Sequence, residues 1–212
     1  MIDISKKESY KTVEKLGVAV FIDRKSKFIA HTKPVATEQE ALSFLAEMRA
    51  EYSDANHNVY AYIIDENNIF RYSDDGEPGG TAGMPILEVL KREGLSGVCV
   101  VVTRYFGGIL LGAGGLVRAY AKGAKLGVDA AGVVEFVPYV VFSVSLSYSD
   151  YEKIQKEAAK YGVSISDTAF EESVKLSMSA KKENYELFSS FISDYTGGKC
   201  VCEITGETYG PA

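Results

Sequence analysis

The run GVCVVVT at residues 97–103 constrains this chain more than any other stretch. An unbroken apolar segment of that length has no wet face, so it reads as an interior strand covered on both sides, not as a sheet edge. Arg104 and Tyr105 stand at its exit, glycines follow at 107, 108, 112, 114 and 115, and a helical pattern takes over from residue 116. Strand, glycine loop and helix in that order bring bare backbone amides and the positive end of a helix to one place, where an anion can meet them.

The segments before this strand fit layers around it. Residues 12–22 and 26–33 are β-branched and aromatic, separated by Asp23-Arg24-Lys25, and predict a hairpin. Thr37 and Glu40 have capping-box spacing at the start of an amphipathic helix whose inner face carries Leu42, Leu45 and Met48. Residues 59–64 and 69–72, joined by 65–68, predict a second hairpin that delivers the chain to a polar turn at 73–80. Pro85 suits the first turn of a short helix with Ile86, Val89 and Leu90 inward, closed by Gly94. In the helix after the glycine loop, Leu116, Tyr120, Gly123 and Leu126 face inward, while Arg118, Lys122, Lys125 and Asp129 share another, mostly basic face.

Beyond a junction at 133–138 the pattern becomes strand (139–147), helix (150–161), strand (163–170), strand (173–180), a helix with Tyr185, Phe188, Ile192 and Tyr195 on one stripe, and a last strand at 199–207. The order βαββαβ predicts a ferredoxin-like domain. Cys200 and Cys202 lie two apart, share a face with Ile204 and read as core thiols, as does Cys99 in its apolar strand. The fold class is α+β, with domains at residues 1–135 and 136–212.

Composition narrows the function classes. An apolar content of 46% with 25% charged residues is that of an ordinary globular protein, which removes disordered and coiled-coil readings. Three cysteines are an odd number, and they argue for a reducing compartment. The amino-terminal residues lack the apolar core of a signal peptide and the longest apolar run is broken by Glu135 and Pro138, so the expected location is the cytoplasm, without a membrane anchor. Net charge is −6, yet all six arginines fall before residue 119, which places any anion site in the first domain.

Chemistry is less explicit. Residues 112–117, GAGGLV, carry Val where a dinucleotide fingerprint needs its third Gly or Ala, and no Gly-Lys-Ser/Thr makes a triphosphate loop. What stays open is a general anion site of Arg104, Tyr105, Gly107, Gly108, Gly112, Gly114, Gly115, Arg118 and Lys122, against the alternative that the glycines merely allow close packing. Asp74, Asp75 and Glu77, with Thr81 beyond them, form an acidic turn that either holds Mg²⁺, stabilises itself, or pairs with the basic helix face. His57 and His31 are the only histidines, which rules against a histidine-rich metal centre, and His57 stays as a further candidate site residue. A serine hydrolase arrangement of Ser73, His57 and Asp74 lacks the Gly-x-Ser-x-Gly elbow. Tyr60, Tyr62, Tyr72, Tyr105 and Tyr120 serve either to stack bases or to fill a core.

The segments HNVYAYII, YSDDGEPGGTAGMPILEVL and VVVTRYFGGILLGAGGLVRAYAKGA, in this order, closely resemble the IMPACT/YigZ family over roughly residues 15–130. The remainder resembles the carboxy-terminal domain of bacterial YigZ members, itself similar to the last domain of elongation factor G. The resemblance implies a first domain of the β-α type shared by a ribosomal-protein domain and the fourth domain of elongation factor G. It also implies a role in translational control, since eukaryotic IMPACT proteins restrain an amino-acid-starvation kinase by competing for its ribosome-associated activator. The two-domain build is expected to be the bacterial one, without the additional interaction domain of the eukaryotic members. Gly79 departs from the family turn, where Ser is usual, and the family supplies no catalytic residues; a proline dipeptidase label borne by some relatives conflicts with the two-histidine count. The expectation is a cytoplasmic, non-enzymatic binding protein for RNA or a ribosome-associated partner, with no cofactor. The alternative is an enzyme or sensor for a small phosphorylated ligand or nucleotide, with Mg²⁺ on the acidic turn.

Overall fold

The computed structural model describes residues 9–65 and 69–212, so positions 66–68 of the second expected hairpin turn lie outside the described residues. The described chain separates into two compact units, residues 10–135 and 136–212.

In the first unit, β1 (Tyr10–Val13) precedes an antiparallel sheet of β2 (Gly17–Asp23), β3 (Ser26–Pro34), β4 (His57–Ile64), β5 (Ile69–Ser73) and β6 (Val98–Tyr105), in the order β2-β3-β6-β4-β5. The segment expected as one strand at 12–22 is broken between β1 and β2. Strand β6 is central and buried along nearly its whole length, as its apolar run requires. Its alternate side chains serve two cores. Val98, Val100 and Val102 pack with α2 (Gly83–Arg92) and α3 (Ala113–Ala131), and Cys99 and Val101 with α1 (Glu38–Glu51). An antiparallel sheet commonly keeps one wet face; α1 is what dries the second.

Three helix details differ from the sequence expectation. Thr37 does cap α1, accepting from the Glu40 amide at 3.2 Å, but the Glu40 carboxylate takes the Ala36 amide and not that of Thr37. The inner face of α1 is Ala41, Phe44, Leu45 and Met48, while Leu42 is exposed. Helix α3 starts at Ala113, and its buried face runs through Leu116, Ala119, Tyr120, Gly123, Ala124, Gly127 and Val128, so Leu116, Tyr120 and Gly123 lie inward as expected and only Leu126 is left half-buried. The cause is close packing. A Cβ on Gly127 would lie 2.5 Å from Thr32 Oγ1, so at this end of the helix the small Gly127, not Leu126, meets the sheet. Gly17 abuts Ala131 and Phe21 abuts Gly123, so α3 runs antiparallel along β2, its first turn toward the β2–β3 tip.

The second unit contains β7 (Val133–Leu146) from Phe136 onward, α4 (Tyr148–Lys160), β8 (Ser164–Phe170), β9 (Val174–Lys181), α5 (Lys182–Thr196) and β10 (Glu203–Pro211), with its strands ordered β10-β7-β9-β8, all antiparallel. This is the ferredoxin-like topology. Alternation along β9 buries Val174, Leu176, Met178 and Ala180 with Phe142, Phe188 and Ile192. The last strand begins later than expected. Cys202 precedes the strand, which begins at Glu203, so the two-residue alternation does not link it to Ile204: Cys202 joins the core and Ile204 is exposed. All three cysteines are free. No described helix is long and apolar enough to cross a membrane.

Candidate functional site

The acidic turn follows β5, and each of its carboxylates has a separate structural partner. Asp74 accepts from the amides of Gly80 at 2.8 Å, Ala82 at 3.0 Å and Gly83 at 2.8 Å, and so caps α2 from eight residues upstream. Asp75, itself at φ +45°, accepts from the Asn58 amide at 2.6 Å and pairs with Arg49 at 3.2 Å. Glu77 turns inward and is buried. Thr81 donates to the Pro78 carbonyl at 2.7 Å. The three carboxylates are thus engaged by different donors, Asp74 by the amides of Gly80, Ala82 and Gly83, Asp75 by Asn58 and Arg49, and Glu77 by Arg104 and Tyr120. Among the described residues no group of three His, Cys, Asp or Glu side chains forms a metal site.

Glu77 is the hub beneath the glycine loop. Its Oε1 accepts from Arg104 at 2.6 Å and from the Tyr120 hydroxyl at 2.7 Å. Burial, reinforced by that hydrogen bond to Glu77, pushes the Tyr120 phenol far above its ordinary value. His57 Nδ1 meets the Asp75 carbonyl at 2.8 Å; a carbonyl only accepts, so Nδ1 carries the hydrogen, and Nε2 faces Glu77 at 3.9 Å.

Arg104 is therefore not the open cation that its place at the strand exit suggests. It is 5% exposed, neutralised by Glu77, bonded through a second nitrogen to Ser26 Oγ at 3.3 Å, and held between the rings of Phe28 and Phe106. The in-plane alternation of β6 is the reason: Arg104 pairs in register with Phe28 and points to the α3 side. Tyr105 points to the other side and donates to Asp54 at 2.7 Å, which raises its phenol.

The glycines divide between two roles. A Cβ on Gly107 would sit 2.0 Å from the Lys25 carbonyl carbon, so the loop crosses the β2–β3 turn in direct backbone contact, and the Gly107 amide donates to Ser26 Oγ. Gly108 (φ +82°) and Gly112 (φ +71°) take left-handed backbone with open space around them. Gly115 packs on Leu111, whereas Gly114 is open, with the Arg118 guanidinium nearby. Helix α3 has no side-chain cap at Gly112.

What surrounds this uncapped start is a set of cations that the sequence reading only half identified. Arg118 and Lys122 lie exposed on α3, with Lys122 over the Phe21 ring at 4.7 Å. Arg24 and Lys25, read only as turn residues, form the β2–β3 tip, and Arg24 reaches the Leu110 carbonyl at 3.4 Å. Among the described residues none of these four is ion-paired, while Arg49, Arg71, Arg104, Lys91 and Lys125 are. Arg24 (φ +44°) and Lys25 (φ +66°) also occupy the left-handed region, the geometry of a two-residue primed turn that Asn-Gly adopts at lower cost. The sequence signal was present in Asp23-Arg24-Lys25, but neither residue type announces a primed turn.

Fold and site together define a two-domain α+β protein whose first unit presents a basic, glycine-built edge and whose second is ferredoxin-like. The family model described as the Impact N-terminal domain matches residues 24–128, and one described as a domain of unknown function, DUF1949, matches residues 144–199. Over 95% of its length, and 93% of the relative's, the chain is 41% identical to the IMPACT family member YvyE of Bacillus subtilis. It is 33% identical to the IMPACT family member YigZ of Escherichia coli over 82% of this chain and 87% of that one. The Protein IMPACT of Oryctolagus cuniculus is 35% identical over 52% of this chain and 38% of its own. A solved crystal structure of a hypothetical protein aligns with a TM-score of 0.60 at 28% identity, covering 95% of this chain and 99% of that one. The chain belongs to the IMPACT family.

Proposed function

We propose that this protein is a cytoplasmic, non-enzymatic factor that binds RNA, on or off the ribosome, through the edge formed by Arg24, Lys25, Arg118 and Lys122. The observation that carries this reading is the gathering of four exposed, unpaired cations beside an uncapped helix start in a chain of net charge −6. Solvated cations without carboxylate partners attract phosphate oxygens, and an uncapped helix start adds backbone donors to them. Arg24 and Lys25 keep a costly backbone conformation where smaller residues would relax it, a pattern expected where the side chains serve binding. Regulation of translation or of a stress response is the role in which such binding is proposed to act. The arginine at the strand exit is excluded from the contact set, because Glu77 already neutralises it.

Titration of labelled RNA at several salt concentrations, together with ribosome co-sedimentation, tests the reading. Arg24→Ala with Arg118→Ala is expected to weaken binding and to lower the salt slope by about one per phosphate contact removed. Unchanged co-sedimentation and an unchanged slope would sink it.

A further inference from the structure

Phe106 is the exposed aromatic of this edge, and its setting is unusual for a surface ring. It is 45% exposed, yet its backbone amide is fixed by Asn56 Oδ1 at 2.7 Å and its ring lies over the Arg104 guanidinium at 5.6 Å. That guanidinium is itself immobilised by Glu77 and Ser26 and backed by Phe28. The stack of Phe28, Arg104 and Phe106 thus has an inner, buried end and an outer, open one. The next residue, Gly107, touches the Lys25 backbone, which puts the ring one residue from the basic tip.

We infer that Phe106 is a stacking platform for an unpaired nucleobase, so that the partner is single-stranded RNA, its phosphates lying on Arg24, Lys25 and Arg118. The inference rests on the RNA reading above and adds the class of RNA to it. Every base has a π face, so a fixed, solvent-facing ring selects for an unstacked base and not for sequence. Within a duplex each base face is already stacked, so away from its ends a duplex would meet only the cations. The Glu77–Arg104 pair supplies no binding charge here: it holds the platform, and its neutrality leaves the exposed cations to govern phosphate contact.

The test compares the intact chain with Phe106→Leu, which still covers Arg104, and Phe106→Trp. Three probes are used: a twelve-nucleotide single-stranded RNA, its blunt duplex, and an abasic strand with the same phosphates. Phe106→Leu is expected to lose about fivefold or more in affinity for the single strand with an unchanged salt slope. It is expected to lose nothing on the abasic strand or the duplex, and Phe106→Trp is expected to restore single-strand binding. Equal single-strand affinity for Phe106→Leu and the natural chain, while Arg24→Ala with Arg118→Ala weakens it, overturns the platform but leaves the phosphate reading standing. That result would assign the ring, with Ile109 and Leu110 beside it, to a protein contact. No binding of any probe by the natural chain would overturn both.

Discussion

Arg104 and Glu77 meet at 2.6 Å with both side chains almost wholly withdrawn from solvent, directly beneath a surface loop. Such a pair adds little net stability over an apolar equivalent, but breaking it leaves a buried charge without a partner. Glu77→Ala is expected to cost about 3–5 kcal/mol, because Arg104 and Tyr120 both lose their acceptor. Arg104→Met with Glu77→Leu should recover much of that loss. Urea unfolding of Glu77→Leu, Arg104→Met and the two combined checks the sign: a fully additive double variant would show that the two side chains do not act as a pair.

Asp74 lies outside α2 in sequence yet satisfies the amides of Ala82 and Gly83 with one oxygen and that of Gly80 with the other. Its replacement by Ala is expected to cost about 1–2 kcal/mol, the range of a lost helix cap. Asp74→Asn keeps one acceptor oxygen and should cost less. If the Asn variant lost as much as the Ala variant, charge at the helix start, and not the hydrogen bonds, would be the stabilising factor.

Much of this architecture was legible because periodicity reports burial. The apolar run of β6 announced a strand with two dry faces, and the alternation in β9 announced one wet face. Where the reading slipped, tertiary packing had overridden the local pattern. Leu116, Tyr120 and Gly123 of α3 lie inward as their spacing predicts, but near the end of the helix the close approach of the sheet admits Gly127 and leaves Leu126 at the margin. The site was harder. Arg104 looked like an anion ligand, and only the three-dimensional meeting of residues 77, 104 and 120 showed its charge to be spent. Arg24 and Lys25 were hidden for the opposite reason, since a primed turn is normally written in Asn and Gly.

His31 gives the first unit a pH dependence whose sign is fixed by burial. Withdrawal from solvent holds its imidazole below the ordinary value of 6.5, with Glu51 opposing. As pH falls through 6.5 the unfolded chain takes up a proton that the folded chain refuses, so stability declines until the folded value is reached and then stops declining. Urea midpoints from pH 7.5 to 5.5 should show this fall, at most about 1.4 kcal/mol per pH unit. His31→Gln should flatten it; an equal slope in the variant would assign the dependence to other groups.

Gly107 and Gly79 are predicted to respond in opposite directions. A methyl at 107 would collide with the Lys25 backbone, which cannot swing aside as a side chain can, so Gly107→Ala should destabilise the fold and displace the loop from the hairpin tip. Gly79 has nothing within 4 Å of an added Cβ and no left-handed backbone. Gly79→Ala should then be neutral or stabilising by up to about 1 kcal/mol through the unfolded chain. Melting temperatures of the two variants suffice, and a destabilising Gly79→Ala would contradict the geometry.

The turn at Arg24 and Lys25 is predicted to set stability against the proposed RNA binding. Each residue holds a positive φ that costs an L-residue with a Cβ roughly 1–2 kcal/mol, whereas Asn-Gly fits the same primed turn with little strain. Arg24→Asn with Lys25→Gly is therefore expected to raise the unfolding free energy by about 1–2 kcal/mol, part of the gain being offset by the flexibility that Gly gives the unfolded chain. The same change removes two of the four unpaired cations, so RNA affinity should fall and the salt slope should shrink by about two. The opposite signs are the informative result. A variant that is both more stable and binds as before would show that the strain serves no contact, and a less stable one would show that the Arg24 reach to Leu110 outweighs the backbone cost.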